Sequence, residues 1–402
     1  MKILENFAIF FIGFSYSFLI YNKIAFGITL SLGIFLLMIT NLGTLTYQVK
    51  KIFEQIKKLD LAIITLMFLS FSISCFLSIK SGRSFAVLIY LILFIIFSIF
   101  IYAILKEKNE ILRSILKLFT ISIFLNSLAI LIYNINSYNG GELIKFKGIM
   151  NVITLLTIMN FYFYKSKLNY LSLILLLPNI FFSGSSASIL GVISGIFICF
   201  IFFILRKFLK NISINLSVLI IFIVLITPLL IIFSKQLPQK FDRISIDNFQ
   251  HSIPLQIVDI HRQFIWGFSI EKIKNKFLFG YGPDTSNFIE GSQREIGLKN
   301  NDYNTGDMNF IPSHPHNFIV ELILETGTIG SALFMLFIIM INIRVLKLCN
   351  SLESKIFLIF LNAYFWGSSL VNFSFWLGWW QGSYYLLLSL VASKAEQDSS
   401  KV

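Results

Sequence analysis

Four histidines occur in this 402-residue chain, and all fall in or at the edge of one polar stretch, residues 234–315: His251, His261, His314 and His316. The last two open the segment Ser313-His314-Pro315-His316-Asn317, which runs straight into an apolar helix pattern ending Glu325-Thr326-Gly327-Thr328-Ile329-Gly330. Pro315 suits a first helical position, with Ser313 or His314 as the cap before it. Asn317, Glu321, Glu325 and Thr328 then recur at i, i+4, i+8 and i+11, the spacing of one helix face. Two carboxylates entering an apolar helix are costly unless they face a bundle interior or a water-filled cavity. A helix N-terminus disfavours imidazolium, so His316 is expected to be neutral near pH 7, the state a general base needs. The plainer reading, an interfacial histidine with capping and packing polar residues, accounts less well for the Asn/Glu stripe.

A second segment carries the cations. His261-Arg262-Gln263-Phe264-Ile265-Trp266 leads through Lys272, Lys274 and Lys276 to Phe279-Gly280-Tyr281-Gly282-Pro283-Asp284. The stretch from Asp259 to Lys276 has a helical pattern, and Phe264, Ile265, Trp266 and Phe268 give it an apolar side expected to lie on the membrane surface. A guanidinium at Arg262 would then sit at headgroup level, where it binds phosphate oxygens bidentately or simply meets lipid phosphate. The Gly-Tyr-Gly-Pro turn exposes backbone amides. Arg243, about ten residues past an apolar run, and Arg83, on a short link with Lys80, are further phosphate contacts or solvated charges. His-x-His at a helix start points its rings apart, and no metal or other cofactor is assigned.

These groups must be positioned by a membrane bundle. Hydrophobic residues make up 56% of the chain and charged ones 13%, against about 25% charged in a soluble domain. At roughly 20 residues per span, the apolar content suffices for eleven or twelve. Apolar runs fall at 6–21, 24–46, 61–79, 84–105, 114–134, 148–164, 168–183, 185–205, 213–233, 317–343, 356–372 and 376–393. The fold class is therefore all-α: a polytopic membrane protein of about twelve transmembrane helices with one large, partly helical periplasmic loop. Residues 1–233 hold spans one to nine, 234–315 the loop, and 316–402 the last three spans with a cytoplasmic tail. The first run lacks a small-residue cleavage site and reads as a span, not a removed signal peptide.

The net charge of +13 is explained by topology, not by nucleic acid. Lys50, Lys51, Lys57 and Lys58 follow the second run, Lys106, Lys108 and Arg113 the fourth, Lys165 and Lys167 the sixth, Arg206, Lys207 and Lys210 the eighth, and Arg344, Lys347 and Lys355 the tenth. The positive-inside rule then sets both termini in the cytoplasm and the large loop outside. Lys80, Arg83, Lys145 and Lys147 are outward exceptions. The three cysteines, Cys75, Cys199 and Cys349, lie in or beside apolar runs and form no disulfide framework.

At these residues the chain resembles the O-antigen ligase and polymerase superfamily of bacterial cell-envelope glycosyltransferases. The likeness lies in the twelve-span layout with a large loop before the tenth span, in Arg262 followed by a helix and Gly280-Tyr281-Gly282-Pro283, and in His316-Asn317 with Glu325-Thr326-Gly327-Thr328-Ile329-Gly330. The resemblance implies a metal-independent enzyme of the bacterial inner membrane, acting on the periplasmic face. Its donor would be a glycan on undecaprenyl diphosphate and its acceptor a sugar hydroxyl, on lipid A-core or another glycan, with membrane lipids around it. By motif, His316 would be the base and Arg262 would bind diphosphate, with Arg243 a helper and His314, Asn317, Glu325 and Arg83 supporting substrate. The arginine that many relatives carry near Ser186 is missing here; Arg83 or Arg243 is the expected substitute. The outward link from Asn134 to Lys147 is short, which favours a ligase over a polymerase. A transporter or flippase, the reading from another class, would need ionisable groups deep in several spans. A non-catalytic scaffold would leave the His/Arg set dispensable.

Overall fold

Runs of apolar residues long enough to cross a bilayer fold as helices because no water is there to take unpaired backbone groups. A computed structural model describes residues 1–138, 144–208, 259–296, 308–371 and 373–399. The ninth apolar run, 213–233, lies outside them, as do Arg243 and His251. The described helices are α1 (Lys2–Tyr21), α2 (Lys23–Thr40), α3 (Leu42–Glu54), α4 (Lys58–Phe76), α5 (Ser81–Leu105), α6 (Asn109–Ser137), α7 (Lys147–Phe163), α8 (Lys167–Ser183) and α9 (Ser186–Phe208). After the gap come α10 (Ile260–Asn275), α11 (Phe318–Leu348), α12 (Leu352–Ser369) and α13 (Gly378–Ser399).

The chain is an all-α polytopic membrane protein. Seven of these helices, α1, α2, α4, α5, α6, α9 and α11, are long and apolar enough to cross a membrane, and α7 and α8 are shorter apolar helices. The second apolar run is not one helix to residue 46. It stops at Asn41, whose amide reaches back to the Leu37 carbonyl, and α3 continues as a separate, more polar helix. α13 lies in the interior: Trp379 through Val391 are all buried. Its serines do not strand polar groups there. Ser383, Ser389 and Ser393 each donate to a carbonyl of their own helix, at 2.6, 2.8 and 2.8 Å, a common use of hydroxyls away from water.

Side-chain amides tie the helices laterally. Asn342 Nδ2 donates to Tyr384 Oη (3.0 Å), Tyr384 Oη to Asn362 Oδ1 (2.7 Å), and Asn362 Nδ2 to Asn342 Oδ1 (2.7 Å). This closed triangle joins α11, α12 and α13 with all three side chains buried. Such interhelical bonds typically contribute about 0.6 kcal/mol each in a membrane protein. At one end of the bundle Arg344 of α11 pairs with Asp60 of α4. At the other end the C-terminus of α4, the start of α5, the α10 region and the link 370–377 gather around the first turns of α11.

Candidate active site

α11 is the helix on which the site is built, and it is broken. Gly327 has φ 69° and ψ −179°, a combination essentially restricted to glycine. The break frees backbone groups that an unbroken helix would pair with one another, and the loop after α10 takes them up. Thr328 N–H donates to the Phe277 carbonyl (2.9 Å) and Ile329 N–H to Leu278 (3.4 Å), while the Leu324 and Glu325 carbonyls accept from Tyr281 N–H (3.0 Å) and Gly282 N–H (2.8 Å). Residues 277–282 are thus spliced into the helical ladder. The approach is so close that a Cβ at Gly327 would stand 2.0 Å from the Leu278 oxygen, and one at Gly280 2.4 Å from the Glu325 carbonyl carbon. The two glycine motifs of the sequence are the two halves of one joint.

Glu325, buried inside this joint, locks it. Its carboxylate accepts from the backbone N–H groups of Asp284 (2.6 Å), Thr285 (3.0 Å) and Ser286 (2.8 Å), from the Ser286 hydroxyl, and from the Trp376 indole. Five donors around one acceptor-only group satisfy it without water. One turn earlier, buried Glu321 accepts from Ser374 Oγ (2.5 Å) and Phe375 N–H (2.7 Å). The two carboxylates therefore face the bundle interior, as the sequence required. They bind protein backbone on opposite flanks: Glu325 chiefly the loop after α10, Glu321 the link before α13. Thr328 is not on their face, because the break at Gly327 rotates it onto Phe277.

Asn317 is the N-cap of α11, its Oδ1 accepting from Ile319 N–H (3.0 Å) and Val320 N–H (3.1 Å). The helix starts three residues later than Pro315 suggested, so the histidines stand in the approach turn, not on the helix. His316 adopts φ 55°, a left-handed conformation rare for a residue with a side chain and frequent at functional sites. Its N–H donates to His314 Nδ1 (3.1 Å), which fixes that nitrogen of His314 as an acceptor. The rings lie 4.1 Å apart at 54°, close together where divergence was expected; the left-handed residue brings them round. Burial, then His316 and then Arg262, push the His314 pKa down from 6.5 to about 3. His314 is therefore neutral, with Nδ1 occupied.

The apolar side of α10, expected to face a membrane surface, is turned into the protein. Phe264, Ile265, Trp266 and Phe268 are buried in a small cap core with Phe310, Ile311 and Leu324, and Phe268 stacks on Phe310 at 5.3 Å. The loop 308–311 folding back over α10 supplies the cover that lipid was expected to give. Asp259 caps α10 through Arg262 N–H (2.9 Å) and pairs with the Arg262 guanidinium at 3.2 Å. One turn on, Trp266 Nε1 donates to the Pro315 carbonyl (2.9 Å). This bond ties α10 to the histidine turn, and the charge of Arg262 is felt at His314. His261 points the other way, bonded to the Asn309 carbonyl at 2.9 Å.

Arg83, in the first turn of α5, joins from another side. Its Nε donates to the Asp284 carbonyl (2.9 Å) and carboxylate (2.8 Å), and its guanidinium stacks over Phe288 at 5.3 Å. Asp284 is itself left-handed at φ 57°, held so by the Glu325 clamp. The structure thus brings Arg262, His314, His316 and Asn317 together through one turn, and Arg83 and Glu325 together through the loop 280–288. The link 374–376 went unnoticed in the sequence; its signal was a serine and an indole N–H inside an otherwise aromatic start to the last span.

Residues 171–335 match the family model described as O-antigen ligase, and that interval contains Arg262, both glycine motifs, the histidine turn and Glu325. This part of the chain is similar to the O-antigen ligase family. A protein of Rickettsia conorii, provisionally named a polysaccharide ligase, is 33% identical over 233 residues, 56% of this chain and 51% of that protein. Similarly named proteins of Rickettsia felis (31% over 232 residues, 56% and 51%) and Rickettsia prowazekii (31% over 219 residues, 53% and 49%) are also similar. The chain spans about half the length of the curated relatives it matches.

Proposed function

We propose that this protein is a ligase-type glycosyltransferase of the bacterial inner membrane, with both termini cytoplasmic and the histidine turn on the periplasmic face. It moves a glycan from undecaprenyl diphosphate to a sugar hydroxyl on lipid A-core or another glycan acceptor, without a metal. His316 takes the proton of the acceptor hydroxyl as its oxygen attacks the anomeric carbon. The bond from that carbon to the diphosphate oxygen breaks, and the electron pair leaves with the diphosphate. Arg262 binds the diphosphate and offsets its growing charge, with Arg243, which lies outside the described residues, as helper and Arg83 as the substitute for the family's missing arginine. His314 and Asn317 hold the turn and Glu325 holds the loop that carries Asp284.

The observation that best supports this reading is the bond from Trp266 to Pro315, which keeps a permanent cation on α10 beside a strained histidine turn. A positioned base contributes about 10²–10⁴-fold. Reconstitution with a lipid diphosphate-linked glycan and candidate acceptors, read by product mass, tests it. His316→Ala and Arg262→Ala should each lower transfer at least 100-fold while the protein still accumulates in the membrane; full transfer by both variants would overturn the assignment. The link between α6 and α7, only residues 138–146, favours ligase over polymerase, and a lengthened lipid-linked glycan as product would reverse that choice.

A further inference from the structure

α3 has 13 residues, about 20 Å at 1.5 Å per residue, too short to cross a hydrocarbon core about 30 Å thick. The ends of other helices fix where it lies. It begins at Asn41, where α2 stops. Gln48, in its middle, donates from Nε2 to Glu107 Oε1 (2.8 Å), just past the end of α5. The carbonyl of Gln55, its C-cap, accepts from the Arg344 guanidinium of α11 at 3.4 Å. Arg344 also pairs with Asp60 in the first turn of α4. Four helix ends on one side of the bundle are thus met in turn along α3, so it runs across that end of the bundle instead of through it.

Helical spacing sorts its residues into three stripes. Leu45, Gln48 and Ile52 face the protein: the first two are buried, and Ile52 packs against the core. Leu42, Thr46, Val49 and Phe53 form the neighbouring stripe, in which Leu42 and Phe53 are 60% and 59% exposed. Tyr47, Lys50, Lys51 and Glu54 are exposed on the remaining side. Lys57 and Lys58, also exposed, follow at the turn into α4. From residue 50 to residue 58 four lysines stand against a single carboxylate, and none of them is paired with an acid among the described residues. A loop that carried only the usual charge bias would need no bare apolar stripe. A helix lying in the bilayer boundary does: its apolar side enters the acyl chains while its basic side stays at headgroup level, where lysines attract anionic lipids.

We infer that α3 is an interfacial anchor that binds anionic phospholipid. Leu42, Val49 and Phe53 enter the acyl region, and Lys50, Lys51, Lys57 and Lys58 hold the phosphate headgroups. The leaflet is the cytoplasmic one on the orientation proposed above, and that part alone rests on the proposed function. The segment that binds the lipid also grips Arg344, at the opposite end of α11 from the histidine turn.

The test uses the full chain in vesicles of phosphatidylethanolamine with a minority of phosphatidylglycerol. A photoreactive benzoylphenylalanine in place of Phe53 should yield phospholipid adducts, and in place of Lys51, on the opposite side of α3, it should yield none. At Phe53 phosphatidylglycerol should exceed its share of the bilayer about fivefold, equivalent to about 1 kcal/mol. The combined substitutions Lys50→Gln, Lys51→Gln, Lys57→Gln and Lys58→Gln should return the adducts to the bulk ratio, whereas Lys272→Gln with Lys274→Gln on α10 should leave the excess in place. Absence of lipid adducts at Phe53, equal adducts at Phe53 and Lys51, or a bulk ratio with all lysines present would overturn the inference. The leaflet is read separately: a Lys51→Cys variant that reacts with an impermeant maleimide added to spheroplasts would uphold the lipid anchor and reject the proposed orientation.

Discussion

The joint at Gly327 and the turn at His316 lie eleven residues apart in the sequence, yet they are held in opposite ways. Around Gly327 four exchanged backbone hydrogen bonds and a five-donor carboxylate determine every dihedral many times over. The turn at His316 is left-handed and partly exposed, and one indole and one imidazole nitrogen are among the groups that tie it. The difference is that of a scaffold and the groups it presents. A site needs its supports locked by packing and hydrogen bonds so that a few strained side chains can face substrate in one geometry.

The sharpest way to break the contrast is Gly327→Ala, whose Cβ has no room beside Leu278 and whose φ and ψ exclude it. It should cost upwards of about 3 kcal/mol, seen as loss of membrane-accumulated protein and of a thermal transition in detergent; normal accumulation would refute the joint. Glu325→Gln comes next. An amide NH₂ aimed at N–H donors leaves at least one buried donor unpaired, costing about 2–3 kcal/mol, measured as a drop in Tm with the loop around Asp284 becoming protease-sensitive.

The histidine turn should respond to pH instead. With its pKa held at about 3 in the folded turn against 6.5 when unfolded, His314 supports folding fully above pH 6.5. Below that the unfolded chain gains a proton that the folded turn refuses. Stability should therefore fall by about 1.4 kcal/mol per pH unit, about 2 kcal/mol by pH 5. A Tm series from pH 7.5 to 5 checks this, and His314→Gln should flatten it. The smallest effect expected is that of Trp266→Phe: about 1 kcal/mol of stability from one lost hydrogen bond, but a disproportionate fall in transfer if the tie positions Arg262 against the turn.

Much of this was legible in the residues. The helix from Asp259, the apolar run of the tenth span and the inward-facing carboxylates follow from local rules of capping, periodicity and burial. What was not legible depends on contacts between segments far apart in the chain. Asn317, not Ser313, caps α11 because His316 turns left-handed just before it. The apolar side of α10 meets Phe310, not lipid, because residues 308–311 return across it. Glu325 and Thr328 share a face only in an unbroken helix, and the break is written in Gly327 together with Gly280, some fifty residues away.

One consequence follows for how such proteins diversify. Because the segment 277–282 supplies rungs of α11 itself, the polar stretch before α11 is not an independent module that can be exchanged at its ends. A graft from a relative would have to carry the stretch before Pro283 and the stretch after Asn317 as a matched pair. Sequence change at this joint is thereby expected to arrive on both of its sides together.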